Sequence, residues 1–118
     1  MYRDLKVIEK SNELCCSVYA LTRRFPREEI FGLTSQIRRA AVSISSNIAE
    51  GCGRGSYRDQ LRFFYMARGS LCELETQLRI AFMLGYTREV FPEEITIIMK
   101  LLNGLIRSTK RRAKAAIS

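Results

Sequence analysis

Two groups of basic side chains carry the chemistry that this sequence can offer. Arg38, Arg39, Arg54, Arg58, Arg62 and Arg68 form the first, and Arg107, Lys110, Arg111, Arg112 and Lys114 form the second. Arginine holds a phosphate or carboxylate bidentately where lysine offers a point charge, and 15 of the 20 basic residues are arginine. Cations ranged along helical faces neutralise phosphates and release counterions, which gives salt-dependent, largely sequence-independent binding of nucleic acid. The competing reading of any single one is a solvated or ion-paired surface residue. The second group lacks compensating acids: nothing acidic follows Glu94, while six basic residues follow Met99. The C-terminal end is thus the most positive part of the chain and suits a polyanion.

Arg54 has a narrower possibility. It stands between Gly53 and Gly55, just ahead of a helix start at Ser56, where free amides and the helix dipole attract anions. Against a phosphate site, Ser56 and Asp59 compete for those amides, and the run matches neither a P-loop nor a GxGxxG fingerprint. A plain helix connection remains the favoured alternative.

Other chemistries lack their parts. The chain has no histidine, the commonest general base and metal ligand. Cys15, Cys16, Cys52 and Cys72 show no CxxC spacing and follow no signal-peptide pattern, so free thiols in a reducing cytosol are expected. Asn47, Glu50, Glu73, Glu75 and Gln77 lie on or beside packing faces, but a di-iron bundle needs Glu-x-x-His units. Those carboxylates are expected to pair with Arg68, Arg79 or a neighbouring subunit, Glu75 and Arg79 standing at i and i+4. A Ser, Cys or Tyr nucleophile needs a positioned base, and no spacing indicates one. The expectation is a protein without catalysis, metal or cofactor.

The elements that must position these side chains are helices. Val7, Ser11, Leu14, Val18, Leu21 and Phe25 step along one stripe and predict a helix from about Asp4 to Arg24, with Asp4 as N-cap and Phe25-Pro26 as the stop. After a connector over Arg27 to Phe31, Ile37, Ala41, Ile44 and Ile48 define a second helix. Its serines and Asn47 are poor helix formers that allow close packing, and Gly51 is placed as a left-handed C′ residue. Ser56 with Asp59 resembles a capping box. Phe64, Ala67, Leu71, Leu74, Leu78 and Ala81 then step 3-4-3-4-3 along a third helix that stops before Gly85. Pro92, followed by Glu93 and Glu94, opens a fourth, with Ile95, Ile98, Leu102, Leu105 and Thr109 as its buried line. Beyond it the last turns are basic and nearly core-free.

This pattern predicts an all-α, antiparallel up-down-up-down four-helix bundle forming one domain over residues 1–118, with a basic end at about 107–118. A 118-residue chain buries a modest core, so self-association is a natural way to cover a further apolar face. No apolar run approaches the ~18 residues of a membrane span, and the apolar stripe of the fourth helix is needed by the bundle, so no membrane partner is expected.

Longer motifs carry a resemblance. YRDLKV at Tyr2 to Val7, FGLTSQIRRAAVSISSNIAEGCGR at Phe31 to Arg54, ARGSLCELETQL at Ala67 to Leu78 and LLNGLIRS at Leu101 to Ser108 resemble the four helix bundle protein family. That family is also called the S23 ribosomal protein family, or the proteins encoded in intervening sequences of bacterial 23S rRNA genes. Ser45 and Cys52 depart from it, standing where a proline and an aromatic residue are expected. The resemblance implies a bacterial cytoplasmic bundle that assembles as a homopentamer and is associated with RNA or an RNA-protein complex. It also implies similarity in fold to the accessory variability determinant of diversity-generating retroelements, a basic pentamer that binds a reverse transcriptase and nucleic acid. Three functions therefore compete: an RNA-binding oligomer, a protein-binding accessory subunit of a reverse transcriptase, and an oligomer with no nucleic-acid role.

Overall fold

The structure, a computed structural model, describes residues 2–117, with side chains from 4 to 117. Its elements are α1 (Tyr2–Thr22), a single 3₁₀ turn (Arg27–Glu29), α2 (Leu33–Cys52), α3 (Tyr57–Met83) and α4 (Pro92–Ile117). There is no strand among the described residues. Helix α1 packs on α2 and α4, and α3 packs on the same two helices, which makes an elongated bundle of 54 × 25 × 19 Å. No helix is long and apolar enough to cross a membrane among the described residues.

The repeats read from the sequence are the buried lines. Val7, Leu14, Val18 and Phe25, Ile37, Ala41, Ile44 and Ile48, all six α3 residues from Phe64 to Ala81, and Ile95, Ile98, Leu102 and Leu105 meet in one core, with Ala40 and Ile106 widening it. Three buried hydroxyls stay hydrogen-bonded by donating back to carbonyls of their own helices: Ser11 to Val7, Thr22 to Val18 and Thr109 to Leu105. All four cysteines are free.

The helix ends differ from expectation at three places. Asp4 lies inside the first turn of α1 rather than capping it. Helix α1 stops at Thr22, short of the Phe25-Pro26 break, because the chain tightens there: the Arg24 and Phe25 amides reach back only three residues, to the carbonyls of Leu21 and Thr22. Gly51 is not a left-handed cap. It is helical and buried, and a Cβ there would stand 2.6 Å from Cε1 of Phe64, so its missing side chain serves the close approach of α2 to α3. The C-cap is Gly53, at φ −87°.

At the other helix ends the residues expected to cap or open a helix do so, with the capping box only half made. Ser56 Oγ accepts the Asp59 amide at 3.2 Å, although the Asp59 carboxylate turns to Arg62 rather than completing a capping box. Gly85 takes the left-handed conformation, φ +81°, just past α3. Pro92 opens α4, and the Phe91 before it holds φ +54° with its ring buried and its amide donating to Glu89 Oε1 at 2.6 Å.

Candidate nucleic-acid interface

The α2–α3 connection is short and held at both ends. The Arg54 amide donates to the Gly51 carbonyl at 3.1 Å, and Gln60 Nε2 donates to the Arg54 carbonyl at 3.1 Å. This brings the Arg54 side chain over the first turns of α3, where its guanidinium carbon sits 4.5 Å from the centre of the Phe63 ring. Arg62 approaches the same ring at 4.6 Å. Each guanidinium also meets a carboxylate, Arg54 with Glu50 at 3.5 Å and Arg62 with Asp59 at 3.3 Å. Exposed pairs of this kind are each worth about 0–1 kcal/mol, so they steady the side chains more than they stabilise the fold.

Along the next turns α3 meets the basic half of α4. Arg68 Nη1 donates to Asn103 Oδ1 at 3.0 Å, and its guanidinium carbon lies 4.9 Å from the centre of the Tyr65 ring. Lys110 Nζ approaches that ring at 5.5 Å. Arg58, Asp59, Leu61, Arg62 and Tyr65 of α3 line a groove together with Ala113 of α4. The contacts descend α3 from Arg68 to Tyr65 as they ascend α4 from Asn103 to Lys110, so these two helices run in opposite directions. The last turns of α4 thereby come to the end of the bundle that holds the Arg54 loop.

This joins groups that are far apart in sequence. Arg54, Arg58, Arg62 and Arg68 stand with Lys110 on one end and flank of the bundle. Arg107 and Lys114 share the helical stripe of Asn103 and Lys110, three or four residues apart, and Arg111 and Arg112 are exposed beside them. Arg38 and Arg39 are not brought into the group. Arg38 is committed to α1, donating from Nε to Thr22 Oγ1 at 2.8 Å and lying 4.7 Å from the centre of the Tyr19 ring. Arg39 is exposed on α2.

Phe63, Tyr65 and Asn103 are the residues that the sequence reading missed. The signal was present: Tyr65 lies off the buried line of α3, with Arg62 and Arg68 three residues to either side, a spacing that places cations beside a ring on a helix. Contacts with rings and with a neutral amide fix a cation in place without cancelling its charge.

Burial first, and the neighbouring Cys16 second, push the Cys15 thiol up; burial and then the nearby Asp4 raise that of Cys52. Both shifts favour the unreactive thiol over the thiolate. No three His, Cys, Asp or Glu side chains gather into a metal-binding group among the described residues.

Fold and surface together define an all-α four-helix bundle with a basic, aromatic-studded end. The chain belongs to the 23S rRNA-intervening sequence protein family, whose model matches residues 3–108. Among solved structures it is similar to a protein of unknown function from the S23 ribosomal protein family of Bacteroides thetaiotaomicron VPI-5482, determined at 1.70 Å. The two share 29% identity and superpose with a TM-score of 0.80 over 89% of this chain and 98% of the other. No curated protein matches the chain.

Proposed function

We infer that this protein is a non-enzymatic cytoplasmic oligomer that binds RNA, in association with ribosomal RNA, through the end of the bundle where α2 meets α3 and α4 finishes. The observation that carries this reading is the convergence of Arg54, Arg62, Arg68 and Lys110, held by Phe63, Tyr65 and Asn103, with Arg58 lining the adjoining groove. Prepositioned cations lose less side-chain freedom when a phosphate arrives than mobile ones do. The family's link to 23S rRNA intervening sequences makes structured rRNA the first ligand to try.

The opposite end supports assembly. Ile30 and Phe31 before α2, and Phe82, Met83 and Leu84 at the finish of α3, are all left exposed, Phe31 to 94% and Met83 to 78%. Large apolar side chains left in water on a chain of this size favour a covering subunit. The resemblance to pentameric relatives makes a homopentamer the expected form, in which several basic ends multiply weak phosphate contacts.

Light-scattering mass measured with and without 23S rRNA fragments, over a salt series, tests both halves. The expected result is a mass several times that of one chain and an affinity that falls steeply with salt, with a slope of log K on log salt of about −3 to −5 for four to six phosphate contacts. A monomer that shows no RNA binding even at low salt would overturn the reading.

A further inference from the structure

We propose that the groove between the first half of α3 and the last turns of α4 takes an unpaired stretch of RNA, stacking a base at Tyr65. This rests on the RNA-binding reading above and specifies the form of RNA. Three observations carry it.

The first is the ring itself. The core takes Phe25, Phe64 and Phe91, whereas Tyr65 is left 37% exposed in a groove whose other uncharged walls are Leu61 and the small Ala113. Every base presents a π face, so a half-exposed ring in such a slot stacks bases with little regard to sequence.

The second is the set of cations around the ring. Arg68 is held by Asn103 and Tyr65, both neutral, and Lys110 by the ring, so each stands beside the groove's tyrosine with its charge intact. Arg62 and Arg58 stand about one and two turns further along the same wall. Asp59 also lines the groove, but its carboxylate is engaged by Arg62 at 3.3 Å. The guanidinium of Arg68, lying against the ring, offers a second plane for a base, and the remaining cations lie where the flanking phosphates would run.

The third is shape. A base inside an A-form duplex is stacked on both faces, and the duplex presents outward its phosphates and a wide, shallow minor groove. A ring on the wall of a groove between two helices does not meet such a base, but it is open to one that has been splayed out.

The test uses the full chain and fluorescence anisotropy at fixed salt, with a labelled single-stranded oligouridylate and a blunt RNA duplex carrying the same number of phosphates. The wild type is expected to bind the single strand about tenfold more tightly than the duplex. Tyr65→Leu, which keeps an apolar side chain and the net charge but removes the ring that Arg68 and Lys110 rest on, is expected to lose about that factor for the single strand and clearly less for the duplex, and Tyr65→Phe, which keeps the ring, is expected to retain wild-type binding of both. A thermal melt of each variant checks that the bundle is intact. Equal affinity for the two RNAs together with no effect of Tyr65→Leu would overturn the stacking groove and leave general phosphate binding standing. Absence of binding to either RNA would overturn both.

Discussion

The Tyr86 hydroxyl donates a 2.8 Å hydrogen bond to Oε2 of Glu29, fifty-seven residues away in sequence, while the other carboxylate oxygen of Glu29 accepts the Leu33 amide at 3.1 Å. One carboxylate thus ties the loop after α3 to the start of α2, and it caps a helix whose N-cap residue, Gly32, has no side chain to do so. A tilted contact of Tyr86 with Phe25, their ring centres 5.6 Å apart and their planes at 53°, brings the end of α1 into the same junction.

This junction gives stability a pH dependence with a definite sign. The Leu33 amide first, and the Tyr86 hydroxyl second, hold the Glu29 carboxyl below its ordinary value of 4.5 against a smaller opposing effect of burial. A carboxyl whose folded value is depressed contributes stability that is complete above the unfolded value and is lost as the pH falls through the folded one. Tyr86 is shifted the other way, above 10.0, chiefly by the bond it gives to Glu29, so its contribution is present below that value and lost as the pH rises through its folded value. Glu29→Gln is therefore expected to melt below the wild type at pH 7, with the gap closing as the pH falls below 4.5. Thermal melts of the two chains between pH 3 and pH 8 check this, and a gap that stays constant would show that the Glu29 charge is not what matters.

Two helical glycines are expected to respond oppositely to alanine. At Gly51 a Cβ would meet Phe64 Cε1 at 2.6 Å and the Gln60 carbonyl oxygen at 3.1 Å, so Gly51→Ala forces α2 away from α3. Overpacking of this kind costs about 1–3 kcal/mol, and the gain in helix propensity returns at most about 1 kcal/mol of it. At Gly69, in the middle of α3, a Cβ meets nothing within 4 Å, and Gly69→Ala is expected to stabilise by about 0.5–1 kcal/mol. At about 4 °C per kcal/mol for a domain of this size, the two melting temperatures separate on either side of the wild type, which calorimetry resolves. A Gly51→Ala chain as stable as the wild type would mean that the helices reseat without cost.

Gly51 also shows where the sequence stopped being legible. The helices and their buried faces could be read because each position on an amphipathic helix declares its side through a 3.6-residue period, and the lines through Ile44 and Leu74 are such periods. A glycine near a helix end reads equally well as a cap or as a contact, and only the position of Phe64 decides between them. The candidate interface was legible as charge and not as arrangement. Arg68 and Lys110 belong to separate runs in the sequence, and they meet at one ring only because α3 and α4 run in opposite directions past Tyr65. The same packing leaves Arg38, adjacent to Arg39 in the chain, facing α1.

That separation predicts two distinct kinds of arginine. Arg38 joins α2 to α1 through a 2.8 Å hydrogen bond to the buried Thr22 and a contact with the Tyr19 ring. Its replacement by alanine removes both and leaves Thr22 Oγ1 without that donor, at a cost of about 1–2 kcal/mol. Arg68 and Lys110 rest on neutral partners, Asn103 and the Tyr65 ring, so removing them subtracts charge more than it subtracts packing. Arg38→Ala is therefore expected to lower the melting temperature while keeping the wild-type dependence of RNA affinity on salt. The double variant Arg68→Ala, Lys110→Ala is expected to melt closer to the wild type and to flatten the slope of log K on log salt by ~1.4, at ~0.7 for each phosphate no longer neutralised on a single strand. Anisotropy titrations at four or more salt concentrations, paired with melts, measure both axes on the same three chains. If Arg38→Ala flattened the slope as much as the double variant did, phosphates would also reach the α1–α2 side, and the basic end would not be the whole of the binding surface.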